Sequence, residues 1–288
     1  MPRSGQWTST WPRSPRCGVS RRIGARLAHG TLPPLHALVL NAGLQVLSGT
    51  TYTEDGFETT FGVNHLGHFL LVNLLLPRLT APARVVFVGS GTHYSELRVA
   101  WLSRLTGVPA PRWRGADASA WPERFPDPAE ATDSAAVVGR RRYATSKLVV
   151  LYDAYELCRR LAAANVGEPT APVTVNVFDP GLMPGSGLAR DATAVELFLW
   201  RHVLPALRFV VPGVSSTGRS GKALARLVLD PALAGVTGRY FVGMQQRPSS
   251  QESYDDAKAT ELWEASAALV ALTPADGSGV EGSVRSTA

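Results

Sequence analysis

Four short runs rich in β-branched and aromatic residues, spaced by helical patterns, constrain this chain more than any other feature. They lie at residues 37–40, 84–88, 173–178 and 239–242. Each is too short for a helix and is followed closely by a Gly, Asn or Pro. The first three read as strands buried on both faces, as parallel sheets require. Helical patterns separate them, at residues 55–79, 143–164 and 217–229. This alternation predicts an α/β fold with a doubly wound, mostly parallel sheet. At 288 residues the chain is long enough for one such domain with a full core.

The first helix is expected to begin at the acids Glu54 and Asp55 and to stop near Pro77. Residues 91–142 have little apolar periodicity and many Pro, Trp and Arg residues, which reads as a long surface insertion. Residues 253–272 read as a terminal helix with Leu262, Trp263 and Leu269 facing inward. The predicted organisation is a basic leader at 1–18, one domain at 19–272 and a disordered tail at 273–288.

Charge and cysteine content narrow the classes. The formal net charge is +6, and residues 1–34 hold six arginines and no acid. That stretch fits an organelle transit peptide, a nucleic-acid arm, or a disordered or non-native leader, and the last is the expectation. No recognised nucleic-acid motif or aromatic platform accompanies it, so no nucleic-acid partner is expected. Cys17 and Cys158 have no metal-like or redox-like neighbours, which fits a reducing, cytoplasmic setting. The longest apolar stretch, 195–214, is interrupted by Glu196, Arg201, His202 and Arg208. It reads as a helix buried on one side, not a transmembrane segment. His65 and His68 lack a nearby third ligand, so no metal is expected.

Tyr143 and Lys147, four positions apart, share one face of a helix. An ammonium there is expected to draw the phenol from about 10 toward the working pH, giving a proton donor or acceptor for a carbonyl–alcohol interconversion. Alone, the Tyr-x-x-x-Lys spacing is common. Its weight comes from an ordered set of companions: Leu40-Asn41-Ala42-Gly43 closes a strand, and Asn64-His65-Leu66-Gly67-His68-Phe69 sits inside the next helix. Gly89-Ser90 ends the next strand, Tyr143 and Lys147 open the following helix, and Pro180-Gly181 ends the third strand. Asn41, Ser90 and Pro180-Gly181 thus lie at strand carboxyl ends, where open α/β sheets bind ligands. The Arg140–Arg142 run reads as a solvated helix start.

This ordered set resembles the short-chain dehydrogenase/reductase family over about residues 19–272. Asp55-Gly56-Phe57-Glu58, Asn64–Phe69 and the segment from Pro180 to Leu188 are similar to the branch of retinol dehydrogenases and protochlorophyllide reductases. The resemblance implies a Rossmann-like fold and NAD(P)-dependent hydride transfer to or from a small apolar carbonyl/alcohol substrate, with NADP(H) expected over NAD(H). It implies catalytic roles for Asn64, Ser90, Tyr143 and Lys147. In it, Tyr143 is the general acid/base, Lys147 holds the nicotinamide ribose, Ser90 bonds the substrate oxygen, and Asn64 fixes a helix bulge. Cofactor contacts are implied for Asn41, Ala42, Gly43, Tyr143, Lys147, Pro180, Gly181 and Met183. It also implies a possible homo-oligomer through the 143–164 helix. Light-driven protochlorophyllide chemistry is not expected, because that branch carries several site-region cysteines and only Cys158 follows the leader.

One departure stands out. The family's glycine-rich Thr-Gly-x-x-x-Gly-x-Gly turn, which lets backbone approach a pyrophosphate, has no counterpart before Asn41. The expectation is an N-terminally truncated Rossmann-like sheet with the 37–40 strand as an apolar edge. The alternative function is a non-catalytic family member acting as a binding or interaction module.

Overall fold

The computed structural model describes residues 33–94, 108–164, 172–183 and 215–272. Expectations for the leader, the 195–214 segment and the tail lie outside these residues. Five strands form one sheet in the order β1 (Leu35–Leu40), β2 (Leu79–Val88), β3 (Val173–Asp179), β4 (Arg239–Val242) and β5 (Gln245–Arg247). The first four are parallel, and β5 returns antiparallel to β4. The four predicted runs are all strands. Only β5 escaped, because Gln245-Gln246-Arg247 has no apolar signal and is exposed. Among the described residues β1 pairs on one side only, with β2.

The period of two along β2 and β3 divides the core into layers. Val85, Phe87, Val175 and Val177 face one side, against Val150, Leu151, Ala154 and Leu157. Val86, Val88 and Phe178 face the other, against Ala223 and Leu227. Helices therefore cover both faces, the doubly wound arrangement. Arg84 fastens the second layer by donating to the carbonyls of Leu227 and Asp230 at 2.9 and 2.7 Å. These are end carbonyls that the helix itself cannot satisfy.

The first predicted helix is interrupted. It starts as α1 (Thr59–Phe61), widens into a π-helical turn over Gly62–Leu66, and resumes as α2 (Gly67–Leu75). Its start is at residue 59 and not 55. Gly56 adopts φ +78°, and the buried Glu58 carboxylate accepts from Phe61 N at 2.8 Å as the cap. A turn at residues 76–78 containing Pro77 then ends it.

The long helix also differs from expectation. After the short α3 (Ala116–Ala120), α4 runs over Ala135–Ala164, so Tyr143 and Lys147 lie in its interior and do not open it. Arg141 and Arg142 are not a solvated start. Arg141 pairs with Asp133 at 2.7 Å, and Arg142 donates to Thr50 at 2.8 Å. Two further helices follow among the described residues, α5 (Thr217–Leu229) as predicted and α6 (Asp256–Leu269). In α6, Leu262 and Trp263 are buried as expected, while Leu269 is half-buried.

The insertion is more than surface. Trp113 packs on Tyr152, Trp121 packs on Phe57 and donates to Gly56 O, and Ala116 and Ala120 are buried. With α6 on its other flank, residues 143–157 of α4 are buried at every position. The helix expected to mediate a homo-oligomer therefore has no exposed face along that stretch.

Candidate active site

The carboxyl ends of parallel strands share one rim of the sheet, and the predicted residues gather there. Asn41, Ala42 and Gly43 follow β1 and are exposed. Ser90 follows β2, and Pro180 and Gly181 follow β3, all three half-buried. Met183 is half-buried a little further on. From below, α4 supplies Tyr143 and Lys147, and the π-turn supplies Asn64, all three buried.

Asn64 explains the π-turn. Its Oδ1 accepts from Leu44 N at 2.8 Å, while its Nδ2 donates to Leu44 O at 2.9 Å and Ser146 Oγ at 3.0 Å. The widened turn aims one side chain across two elements and satisfies it fully, which offsets the cost of asparagine inside a helix. The strand-end loop after β1 is thereby fastened to α4. Gly139 makes the same junction possible from the other side. A Cβ there would stand 2.0 Å from Val46 O, so only glycine lets this loop cross α4.

Lys147 donates from Nζ to Val88 O at 2.9 Å, and its ammonium is 5.7 Å from the Tyr143 ring centroid. Burial pulls the Lys147 ammonium down to about 8, against a rise from the nearby Asp179 charge. Tyr143 moves opposite to the sequence expectation. Burial pushes its phenol up to about 12, a hydrogen bond with Ser90 draws it partly back, and Asp179 adds to the rise. The reason is that Tyr143 is out of water, where the phenolate loses its solvation. The phenol therefore holds its proton.

Ser90 is extended (φ −166°) and caps the short turn Gly91–His93, accepting from Thr92 N and Thr92 Oγ1 at 3.4 and 3.3 Å. His93, fully buried, donates from Nδ1 to Ser90 O at 2.6 Å and accepts from Ser250 N at Nε2 at 3.1 Å. Burial lowers His93 to about 4, although the Ser90 bond opposes this. Asp179 lies under the same rim. Sequence reasoning passed over both. The available signals were an acid closing an apolar strand and a histidine three residues after Ser90.

The two histidines differ: His65 is hydrogen-bonded at both ring nitrogens, while neither ring nitrogen of His68 has a hydrogen-bond partner among the described residues. His65 bonds Asp153 at 2.6 Å and Ser266 at 2.7 Å, tying the π-turn to α4 and α6 in a fully buried Asp–His–Ser chain. His68 is buried beside Lys147 and lowered to about 4, by burial first and then by that charge. Among the described residues no group of three His, Cys, Asp or Glu could hold a metal. No helix among them is long and apolar enough to cross a membrane.

The polar groups at the rim are of the kind that hold a nicotinamide nucleotide. Lys147 has three N–H donors, and among the described residues one hydrogen bond from it is to Val88 O, at the end of β2. Gly43 stands opposite: a Cβ there would be 3.6 Å from Lys147 Nζ and 3.5 Å from Asn64 Oδ1, so the floor between them is narrow and polar.

Comparison with known proteins agrees with this arrangement. A family model described as the AcuH dehydrogenase domain matches residues 188–278. A short-chain dehydrogenase, iccH, of Talaromyces variabilis is 30% identical across 90% of this chain and 76% of its own length. Protochlorophyllide reductase A of rice (Oryza sativa subsp. japonica) is 34% identical across 83% of this chain, and human retinol dehydrogenase 13 is 32% identical across 82%. The chain spans 61% and 60% of the length of those two relatives. A crystal structure of an uncharacterised protein from Mycobacterium paratuberculosis superposes with a TM-score of 0.53 at 26% identity, over 88% of this chain and 72% of that one. The ordered motifs, the rim that gathers them and these similarities place the chain in the short-chain dehydrogenase/reductase family.

Proposed function

We propose that the chain is an NAD(P)-dependent oxidoreductase that reduces a carbonyl on a small apolar substrate, with NADP(H) preferred. The observation that carries this reading is the convergence of Ser90, Tyr143, Lys147 and Asn64 at one rim, with Ser90, Lys147 and Asn64 held by hydrogen bonds. A bound nicotinamide supplies the hydride. Lys147 holds the ribose hydroxyls, while Asn41–Gly43 and Pro180, Gly181 and Met183 flank the nucleotide. Ser90 bonds the substrate oxygen and orients it toward the Tyr143 phenol.

Tyr143 donates its proton to that oxygen as negative charge develops there. A phenol raised to about 12 is protonated at neutral pH, the form able to donate to that oxygen. Lys147, beside it, offsets the phenolate that forms and replenishes its proton through the polar floor that Asn64 lines.

The test is fluorescence titration of the 288-residue chain with NADPH, with Lys147→Ala as control, followed by turnover on short apolar aldehydes. Micromolar binding that the control loses, with aldehyde reduction that Tyr143→Phe lowers by at least about 100-fold, is the expected result. Folded protein that ignores millimolar NADPH would overturn the enzyme reading and leave a non-catalytic binding module.

A further inference from the structure

Asp179 ends β3, and its place follows from the alternation of that strand. Val175 and Val177 face the α4 layer, so Asp179, two further on, faces it too. It is buried, at 5% exposure. A buried carboxylate needs donors, and Asp179 has two, with a third strand end packed against it. Gly181 N donates to Oδ1 at 2.8 Å and Tyr240 Oη donates to Oδ2 at 2.7 Å, while Gly91 lies against Oδ2, where a Cβ on it would come within 3.4 Å.

These contacts come from three strand ends. Gly91 follows Ser90 after β2, Gly181 lies in the turn after β3 with φ +74°, and Tyr240 is in β4. Tyr240 is itself braced, since the His93 ring packs edge-on against it at 5.0 Å while His93 Nδ1 holds Ser90 O. The Ser90–Gly91 corner is thus held at the Ser90 carbonyl by His93 and packed at Gly91 against Asp179 Oδ2.

We propose that Asp179 is a positioning residue: its carboxylate clips the Ser90–Gly91 corner to the Pro180–Gly181 turn. Substrate-oxygen recognition and the nicotinamide-facing turn are thereby kept in one fixed relation, with Tyr240 as the third anchor. The proposal rests on the oxidoreductase reading for its catalytic consequence, and on geometry alone for the clip. Asparagine is isosteric but lacks the charge. With its oxygen on Gly181 N, its amide meets the Tyr240 hydroxyl, which must turn from donor to acceptor, and both charge-assisted bonds are lost.

The experiment compares the full chain with Asp179→Asn and Tyr240→Phe by amide hydrogen exchange and by NADPH-dependent aldehyde reduction. Exchange is expected to quicken together in peptides covering 89–94 and 180–183. The kcat is expected to fall at least about tenfold in Asp179→Asn with KM within about threefold, as loss of alignment predicts. The alkaline limb of the pH–rate profile should also move to lower pH, because the charge that holds Tyr143 and Lys147 up is gone. A purely structural role would not move that limb. Unchanged exchange in both peptides, or loss confined to one of them, overturns the clip. If Asp179→Asn does not fold, Tyr240→Phe, which keeps the acid and removes one donor, decides by the same exchange readout. Wild-type chain without turnover would sink the oxidoreductase reading, while exchange would still decide the clip.

Discussion

His93 gives the sharpest quantitative expectation. The perturbation is a shift from pH 7 to pH 5. In the folded chain His93 Nδ1–H is committed to Ser90 O and the Nε2 lone pair to Ser250 N, so a second proton would set one N–H against another. Burial first, and this committed acceptor, hold the imidazole down at about 4, against about 6.5 when unfolded. Between these values the unfolded state binds the proton that the folded state refuses, so stability falls as pH falls. At pH 5 the unfolded ring is almost wholly protonated and the folded ring about one-tenth so. The accumulated loss from pH 7 is about 2 kcal/mol, with a slope near 1.2 kcal/mol per pH unit.

The buried acids Glu58, Asp153 and Asp179 are all raised by burial and work in the opposite sense on acidification. The informative quantity is therefore a difference. Urea unfolding of wild type and His93→Gln, each at pH 7 and pH 5, should show the wild type losing about 2 kcal/mol more than the variant across that interval. Ring NMR of the folded wild type should show no titration of His93 above about pH 5. Equal acid dependence in the two proteins, or a His93 midpoint near 6.5, would refute the reasoning and the assigned tautomer with it.

Two further outcomes follow from the junction between the β1 loop and α4. Asn64→Ala removes three hydrogen bonds and strands the Leu44 amide and carbonyl. It should destabilise by about 2–4 kcal/mol in urea unfolding, and a change below about 1 kcal/mol would mean the π-turn does not depend on this side chain. Gly139→Ala drives a methyl into Val46 O, so the loop carrying Asn41–Gly43 must move. NADPH affinity should fall at least about tenfold while the sheet persists by circular dichroism, and unchanged affinity would separate that loop from the site.

The sequence by itself determined the α/β class, the parallel strands and the gathering of Asn41, Ser90 and Pro180-Gly181 at one rim. Such information is local: short β-rich runs, strand-end breakers and a four-residue helical spacing are each written within a few positions. It also determined that Asn64 sits in a helix, since its surroundings are apolar and periodic. Tertiary structure decided the rest. The sign of the Tyr143 shift is set by how completely α6, the insertion and the sheet exclude water from α4, which no spacing between Tyr143 and Lys147 encodes. The start of α4 at Ala135 depends on contacts such as Arg141 with Asp133 and the β1 loop against Gly139, so weak periodicity concealed two turns of helix. The partners of Asp179 and His93 lie 61 and 157 residues away, at Tyr240 and Ser250. A carboxylate and an imidazole acquire these roles only when parallel strands bring distant chain ends to one edge, because hydrogen-bond partners are chosen by distance in space and not by separation along the chain.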